Sequence, residues 1–535
     1  MMRIFTFLVY FCLGTSLWGQ NFHFKVTFSQ KDTTSFLSTG TDQYLSPRAI
    51  DRKNGKNISI TISDFPISST YIDTLNQYGT VLSRSKWLNA AIVGVTDSSS
   101  ISALRNLSFV KEVKLIGQSN LAIARVSKKN EVSSLNYGNS EEGINQMNGQ
   151  FLHDQGYLGQ GKLIAVLDAG FVNVNTLSIF DSLRQGNQIV TTKNFVSEGI
   201  SVYTADNHGT QVLSVLAANK SGEMIGSAPK SEYALLLTED VREENPIEEY
   251  YWIEGVEYAD SLGADVINSS LGYNTFDFGA FNHGSNELFT SSADISIVAD
   301  LAWDKGILVV NAAGNEGKES WKKVLFPADA TKILTVGGVD INGLKADFSS
   351  IGCSESSVLK PNVSALAVSV GTNASDGLMA KSNGTSFACP LVAGLSTCLW
   401  QQFPALTNDE IKQLIEQSSS QHSQPDHFLG HGIPNFELAS NQLSSSFEDT
   451  PPIALTCFPN PVKAGEVITI QNSTISGSIK LKLYNTAGQL VQANQVFTLL
   501  ESAPLTLQTA PLNKGWYILE ISSDSSIRRT QICVL

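Results

Sequence analysis

The stretch NGTSFACPLVAG (residues 383–394) presents one serine, Ser386, at the start of an apolar run of small residues that continues towards Trp400. Such a run predicts a buried helix, and a serine in its first turn lies among backbone N–H groups that have no partner within the helix. Those donors and the positive end of the helix dipole favour a developing negative charge. The stretch is therefore typical of a nucleophile, although a capped helix in the core explains the same pattern on its own.

Two upstream stretches supply the groups that a nucleophilic serine needs. The run LIAVLD (residues 163–168) predicts a buried strand with Asp168 at its carboxyl end, the end that faces the ligand crevice in open parallel sheets. The stretch DNHGTQVLSVLA (residues 206–217) places His208 at the start of a second helical run. Aspartate, then histidine, then serine is one of the chain orders in which a catalytic triad occurs.

These three stretches resemble the motifs of the subtilisin-like serine proteases, and VVNAAGNEG (residues 309–317) resembles the oxyanion segment of the same family. The resemblance implies that Asp168, His208 and Ser386 form the triad. In the family, the asparagine after the glycine donates its side-chain amide to the oxyanion, which assigns this role to Asn315 and not to Asn311. The likeness covers about residues 145–440.

The substrate-binding edge is also implied by the resemblance. It consists of Ser270, Leu271 and Gly272, which follow a predicted strand and offer backbone groups to an extended peptide. A plain strand-to-loop turn is the alternative. The run VLFP (residues 324–327) falls at the floor of the family's main side-chain pocket, and its apolar character implies a preference for uncharged side chains. The chain departs from the usual family pattern at Ala169, where a hydroxyl residue would be a neighbour of the triad carboxylate.

Predicted strands and helices alternate around these motifs. The strands are residues 163–167, 233–237, 266–268, 307–310 and 333–336, and the helices are residues 210–218, 248–262, 293–305, 387–402 and 408–417. This alternation predicts an α/β fold with a mainly parallel sheet covered by helices on both faces. The predicted fold is a three-layer α/β/α subtilisin-like core, preceded by a small α/β propeptide and followed by a small β-sandwich.

The N-terminal part begins with a basic residue and an apolar run that is too short to span a bilayer. Residues 1–20 therefore predict a cleaved signal peptide, with an uncleaved anchor as the alternative. Residues 21–125 alternate short strands and helices, and their place before a protease domain implies a propeptide that assists folding and then inhibits the enzyme. An independent binding domain is the alternative. Residues 126–144 are predicted to be a cleavable connector.

The C-terminal part follows a Ser- and Pro-containing stretch, residues 441–452, that predicts a linker. The segments FPNPV (458–462), LYNTAGQLV (483–491) and LNKGWY (512–517) resemble the C-terminal sorting domain of the type IX secretion pathway. The resemblance implies a Bacteroidetes source, the type IX machinery as a partner, and a secreted or cell-surface location reached through the periplasm and outer membrane. A carbohydrate- or surface-binding β-domain over residues 453–535 is the alternative, and Cys457 and Cys533 are candidates for a disulfide.

Composition narrows the classes of function. The formal net charge of −14 argues against nucleic acid and against an anionic membrane as partners. The six cysteines show no C-x-x-C spacing, so no zinc site is predicted. The closely spaced His422, Asp426, His427 and His431 could form a metal site, but their context is typical of a surface loop. No cofactor is predicted, and structural calcium, common in secreted members of the family, has no Asp-rich loop here to identify its site.

The sequence thus predicts a secreted serine endopeptidase that is made as a precursor, acts on proteins or peptides and is inhibited by its own propeptide. No transmembrane segment is expected in the mature form. The alternative is a catalytically silent surface or adhesion protein that keeps the fold for binding. A non-proteolytic hydrolase is less consistent with the sequence, because the G-x-S-x-G pattern is absent around Ser386.

Overall fold

The computed structural model describes residues 21–31, 41–96, 100–119, 137–290, 292–448, 456–471, 477–485, 490–499, 505–510, 512–523 and 526–535. These residues form two compact units, one within residues 1–442 and one from Leu443 to Leu535. The predicted signal peptide and most of the predicted connector lie outside the described residues. No helix in the described ranges is both long and apolar enough to cross a membrane.

The first unit begins with a small α/β module. Its elements are β1 (Asn21–Phe28), α1 (Pro47–Gly55), α2 (Ser69–Leu75), β2 (Thr80–Ser85), β3 (Ala90–Val95), α3 (Ser100–Arg105) and β4 (Val110–Ser119). The strands form an antiparallel sheet in the order β2-β3-β1-β4. Because alternate residues of β1 point to one face, Phe24, Val26 and Phe28 share a core with the helices α2 and α3.

A seven-stranded sheet forms the centre of the same unit. Its strands are β5 (Leu163–Asp168), β6 (Ile189–Asn194), β9 (Glu232–Leu237), β10 (Val266–Ser269), β11 (Leu308–Ala312), β12 (Leu334–Val339) and β13 (Val363–Leu366). All neighbours are parallel, and the order is β13-β12-β11-β10-β5-β9-β6. The first strand of the sheet, β5, lies between β9 and β10, so the strand order reverses at β5. The carboxyl ends of these three strands therefore border the crevice where open α/β sheets bind ligands.

The helices of this unit enclose the sheet. They are α4 (Glu141–Gln146), α5 (Gln150–Asp154), α6 (Asp181–Gln185), α7 (His208–Ala217), α8 (Ile247–Leu262), α9 (Asp294–Asp304), α10 (Thr385–Gln402) and α11 (Asn408–Gln417). Helix α7 packs against α10, and α8 packs against α9, with contacts from both pairs to the sheet. Two hairpins complete the unit, β7 (Asn219–Lys220) with β8 (Met224–Ile225) and β14 (Val370–Asn373) with β15 (Met379–Ser382). The predicted α/β fold with a mainly parallel sheet is confirmed.

The last helix of the chain, α12 (Phe436–Glu448), runs through residues that the sequence assigned to a linker. The described residues of the remaining unit form seven strands: β16 (Thr456–Phe458), β17 (Val467–Gln471), β18 (Gly477–Asn485), β19 (Leu490–Leu499), β20 (Leu505–Gln508), β21 (Gly515–Ser523) and β22 (Ser526–Val534). They form two antiparallel sheets, β16-β17-β20 and β19-β18-β21-β22, whose apolar residues share one core. Cys457 and Cys533 lie in different sheets and are free thiols, so the disulfide considered from their positions is not formed.

Candidate active site

Asp168 and His208 are brought together at the carboxyl end of β5. The six residues of β5 are all buried, and its last side chain, Asp168, faces the first residue of α7. Oδ1 of Asp168 accepts hydrogen bonds from Nδ1 of His208 at 2.8 Å and from the backbone N–H of Ala169 at 2.8 Å. Its Oδ2 has no hydrogen-bond partner among the described residues. This orphaned oxygen agrees with the sequence, since Ala169 has no hydroxyl to offer.

The close approach of α7 to β5 depends on Gly209. A Cβ at this position would lie 2.4 Å from the carbonyl oxygen of Gly170 and 2.9 Å from Cβ of Asp168. A side chain here would therefore push the helix, and His208 with it, away from the strand. The Oδ1 atom of Asp206 accepts a hydrogen bond from the backbone N–H of His208 at 2.7 Å, which further holds the start of the helix.

The electrostatic surroundings of His208 favour its protonated form. Burial lowers the pKa of His208, but the charge of Asp168 and its hydrogen bond outweigh that effect, so the pKa lies above its ordinary value. Because Asp168 binds the Nδ1 side of the ring, Nε2 is left to act as an acceptor. The imidazole is thus oriented as a base, with a buried carboxylate placed to stabilise the cation that forms when it takes up a proton.

Ser386 is the second residue of α10, and its side chain is nearly buried. Pro390 lies inside the same helix, four residues after Ser386. Proline has no N–H to donate to the carbonyl four residues earlier, which is that of Ser386. The hydroxyl of Ser270 supplies the missing donor at 2.8 Å. Ser270 therefore supports the backbone that carries the serine, a role that sequence reasoning did not assign to it.

Asn315 and Asn311 occupy different environments. Oδ1 of Asn315 accepts the backbone N–H of Thr385 at 2.9 Å and the Thr385 hydroxyl at 3.2 Å. These two donors fix the orientation of the amide, so its Nδ2 is available to the cleft. Asn311 is fully buried, and its Nδ2 donates to the carbonyl oxygens of Leu271 and Ala312.

A cavity of about 360 Å³ joins the residues that the sequence singled out. Its lining includes Ala169, His208, Ser270, Leu271, Gly272, Gly314, Asn315, Leu325 and Ser386. Asp168 lies directly behind His208, and Asn311 is not among the lining residues. The arrangement places a hydroxyl, a base and an amide donor around one space, which is the set of groups that acyl transfer requires.

Several carboxylates of this cavity were not identified from the sequence. Glu239, Glu244, Glu248 and Glu316 all line it. Burial raises the pKa of Glu239 to about 8 and that of Glu248 to about 10. The hydroxyl of Tyr273 donates a hydrogen bond to Glu239 at 2.6 Å. The sequence could have indicated Glu239, because this carboxylate comes two residues after the buried strand β9, much as Asp168 comes at the end of the buried strand β5.

Three further histidines, His283, His422 and His431, make contacts outside this cavity. His283 lies between Glu249 and Glu287, and these two carboxylates outweigh its burial and raise its pKa to about 9. The rings of His422 and His431 stack 5.7 Å apart, and Asp426 accepts two backbone N–H groups of its own loop. Within the described ranges, no group of three or more histidine, cysteine or acidic side chains is arranged to hold a metal ion.

The N-terminal module packs on α8 and extends towards this cavity. Glu257 of α8 accepts hydrogen bonds from the Ser85 hydroxyl and from the backbone N–H groups of Lys86 and Trp87. At the end of β4, the carbonyl oxygen of Gln118 accepts a hydrogen bond from Asn245. Asn245 lies three residues before Glu248, which lines the cavity, so the last described strand of the module ends close to the cleft.

Comparisons with known proteins agree with these features. Residues 159–432 match the family model described as Peptidase_S8, the subtilase family. Residues 23–134 match the Peptidase S8 propeptide domain of Bacteroidota, and residues 456–534 match the secretion system C-terminal sorting domain.

Individual relatives are subtilisins. Subtilisin NAT of Bacillus subtilis subsp. natto is 33% identical over 302 residues, which are 56% of this chain and 70% of the relative. A subtilisin of Bacillus pumilus is also 33% identical over 302 residues, covering 56% of this chain and 98% of the relative. A crystal structure of MycP1 with its N-terminal propeptide removed is 22% identical over 56% of this chain and 96% of that chain, with a TM-score of 0.44.

Proposed function

The chain belongs to the subtilase family of serine peptidases, and we propose that it hydrolyses peptide bonds with Asp168, His208 and Ser386 as its catalytic triad. The observation that carries this assignment is the 2.8 Å hydrogen bond between Asp168 and Nδ1 of His208, at the back of a cavity that Ser386 also lines. This bond sets the tautomer in which Nε2 can accept the serine proton.

The proposed reaction has two halves. Ser386 Oγ attacks the peptide carbonyl carbon while His208 takes the hydroxyl proton, and the same imidazolium then protonates the leaving amine. The acyl-enzyme is next attacked by water, with His208 again as the base, and the released carboxylate leaves Ser386 free. The buried carboxylate of Asp168 keeps its hydrogen bond to Nδ1 of His208 and stabilises the imidazolium.

Two donors are proposed to stabilise the oxyanion. One is Nδ2 of Asn315, whose Oδ1 is held by Thr385. The other is the backbone N–H of Ser386, which lies in the first turn of α10 and has no partner within the helix. Both donors are positioned before the substrate binds, so little reorganisation accompanies the formation of charge. We propose that Ser270, Leu271 and Gly272 bind the substrate backbone along the edge of the same cavity.

The chain is the precursor of a protease, because it carries the propeptide domain of its family. We propose that residues 21–125 form this inhibitor domain, that residues 126–144 contain the processing site, and that residues 145–440 form the peptidase. The contacts on Glu257 and Asn245 support inhibition, since they hold the module against the peptidase beside its cavity.

The sorting domain indicates secretion or a cell-surface location. We propose that residues 1–20 direct export to the periplasm and that residues 453–535 engage the type IX machinery for passage across the outer membrane. The catalytic steps proposed here use side chains of the chain itself and need no cofactor. Structural calcium, known from the family, has no assigned site here.

A serine-directed fluorophosphonate tests the triad. The precursor and the protein freed of its N-terminal module are incubated with the reagent, and the modified residue is identified by mass spectrometry. We expect labelling at Ser386, loss of labelling in His208→Ala, and normal labelling in Ser396→Ala, a control further along the same helix. Absence of labelling after removal of the module would contradict the proposal and favour the catalytically silent surface protein.

A further inference from the structure

Leu325 occupies a slot beside the proposed nucleophile. The slot lies between two segments that leave the adjacent parallel strands β10 and β11, namely residues 270–272 and residues 312–314. Nδ2 of Asn311 joins the two segments by donating to the carbonyl oxygen of Leu271 at 3.1 Å. Residues of both segments and Leu325 line the cavity that Ser386 and Asn315 also line.

The leucine side chain fills this slot from one wall to the other. A Cβ added to Gly272 would lie 2.8 Å from Cβ of Leu325, and a Cβ added to Gly314 would lie 2.7 Å from its Cγ. These distances are shorter than van der Waals contact, so the leucine reaches both glycine backbones. Only 7% of the leucine surface is exposed.

The backbone holds Leu325 at this position. Its N–H donates to the carbonyl oxygen of Ala313 at 3.0 Å. The next residue, Phe326, exchanges two hydrogen bonds with Tyr273, at 2.9 and 3.0 Å. The segment is therefore attached to both walls of the slot, and the leucine cannot leave without breaking these contacts.

The slot borders the place where a substrate side chain must lie. In the proposed reaction the scissile carbonyl carbon is in contact with Ser386 Oγ, and its oxygen points to Asn315. The α-carbon on the acyl side is one bond from that carbonyl carbon, so its side chain enters space next to Ser386 and next to Gly314, the residue before Asn315. That space is the mouth of the slot, and its interior already contains a leucine.

We infer that Leu325 is a specificity-determining residue that restricts the acyl-side residue of the substrate to small side chains, namely glycine, alanine or serine. This inference rests on the proposed function, because it uses Ser386 and Asn315 to place the substrate. The inference is narrower than the expectation from the sequence, which was an uncharged side chain at this position of the substrate. Large apolar side chains such as phenylalanine and leucine are uncharged but too large for the space that Leu325 leaves.

The test compares peptides that differ only at the acyl-side residue, with the protein freed of its N-terminal module. Internally quenched peptides carry glycine, alanine, serine, leucine, phenylalanine or lysine at this position, and kcat/KM is measured for each. We expect alanine to exceed phenylalanine by at least about tenfold, the scale on which a filled pocket discriminates by size. In Leu325→Gly, the kcat/KM for the phenylalanine peptide divided by that for the alanine peptide should rise by at least about tenfold.

Matched variants control for a general loosening of the segment. Leu325→Met keeps the volume and should keep the wild-type ratio. Val324→Ala removes volume at the preceding residue, which does not itself line the cavity. Leu325→Ala carries the test if the glycine variant does not fold, as judged by its melting temperature and its rate of labelling by fluorophosphonate.

Two results would overturn the inference while leaving the proposed function intact. One is a wild-type protein that cleaves after phenylalanine or leucine at least as well as after alanine. The other is a ratio that does not change in Leu325→Gly, or that changes equally in Val324→Ala. Failure of the proposed function is distinguished from both, because then no peptide is cleaved and Ser386 is not labelled.

Discussion

Substitution of Glu257 by alanine should weaken the hold of the N-terminal module on the peptidase. Glu257 is 5% exposed, and its carboxylate accepts three hydrogen bonds from the module. The donors are the Ser85 hydroxyl at 2.6 Å, the Lys86 N–H at 2.7 Å and the Trp87 N–H at 3.0 Å. Alanine removes the acceptor of all three at once and leaves them without a partner in the interface.

The expected rise in Kd follows from the three donors that lose their acceptor. A buried donor left without a partner costs about 1–3 kcal/mol. Lys86 and Trp87 are half-buried, so water can reach part of the gap and the lower value applies. Three donors at about 1 kcal/mol each give about 3 kcal/mol, which is a rise in Kd of roughly 150-fold.

The assay uses the precursor with Ser386→Ala, which cannot process itself. Trypsin is used to cut between the module and the peptidase at Arg125, Lys128 or Lys129. The Kd of the resulting non-covalent complex is measured by dilution and fluorescence anisotropy. Glu254→Ala, which removes the acceptor of two hydrogen bonds at 3.0 and 3.2 Å, should give a smaller rise.

Asp304→Ala is the control for this experiment. Both oxygens of its carboxylate pair with Lys332 on the surface, whereas the module is contacted by the next residue, Lys305, through Asp64, so Kd should not change. A change of less than threefold in Glu257→Ala would refute the reasoning. An equal effect of Asp304→Ala would do the same, because the weakening would then not arise from the lost acceptor.

Three further predictions concern catalysis and packing. Asn315→Ala should lower kcat by about 10²–10³, the loss seen when one such donor is removed in subtilisin, and should change KM by less than about threefold. Steady-state kinetics on a peptide measure both constants, and a KM that rose as much as kcat fell would contradict the assignment. Activity needs neutral His208, and Asp168 raises its pKa, so kcat/KM should fall as pH drops through a value above the ordinary one near 6.5. In Asp168→Asn this limb should move to lower pH and kcat should fall about 10⁴-fold, whereas an unmoved limb in the pH–rate profile would argue against the pair. Gly394→Ala places a Cβ 2.0 Å from Oγ of Ser227, so overpacking should lower the free energy of unfolding by about 1–3 kcal/mol. The measurement is the melting temperature, which should fall. An unchanged melting temperature would contradict the prediction and mean that the helix can shift to make room.

The sequence alone determined the residues of the proposed triad and the extent of most core elements. Buried strands and helix starts are local patterns, so LIAVLD and NGTSFACPLVAG could be interpreted without knowing what packs around them. The strand predicted at residues 163–167 is observed at Leu163–Asp168, and the helix predicted at residues 408–417 is observed at Asn408–Gln417. The edge strand β6 was not predicted. It is half-exposed and contains two threonines, a lysine and an asparagine, so it shows no continuous apolar run.

Other features were decided only by the tertiary structure. Helix α1 was not predicted, because Arg52 and Lys53 give it no apolar face. The fold buries these two side chains on Asp260 and Asp64, which lie on other elements. In the same way, the hydroxyl of Ser270 satisfies a carbonyl that Pro390 leaves free, across more than a hundred residues of chain.

The position of Leu325 shows the same division between sequence and structure. The sequence placed an apolar residue near the floor of a pocket, but its side chain meets Gly272 and Gly314 only because β10 and β11 are neighbours in the sheet. The width of that slot depends on the register of two strands about forty residues apart and on hydrogen bonds between them. The sequence by itself therefore determined which chemical groups are present, while the pairing of distant segments decided what those groups can contact.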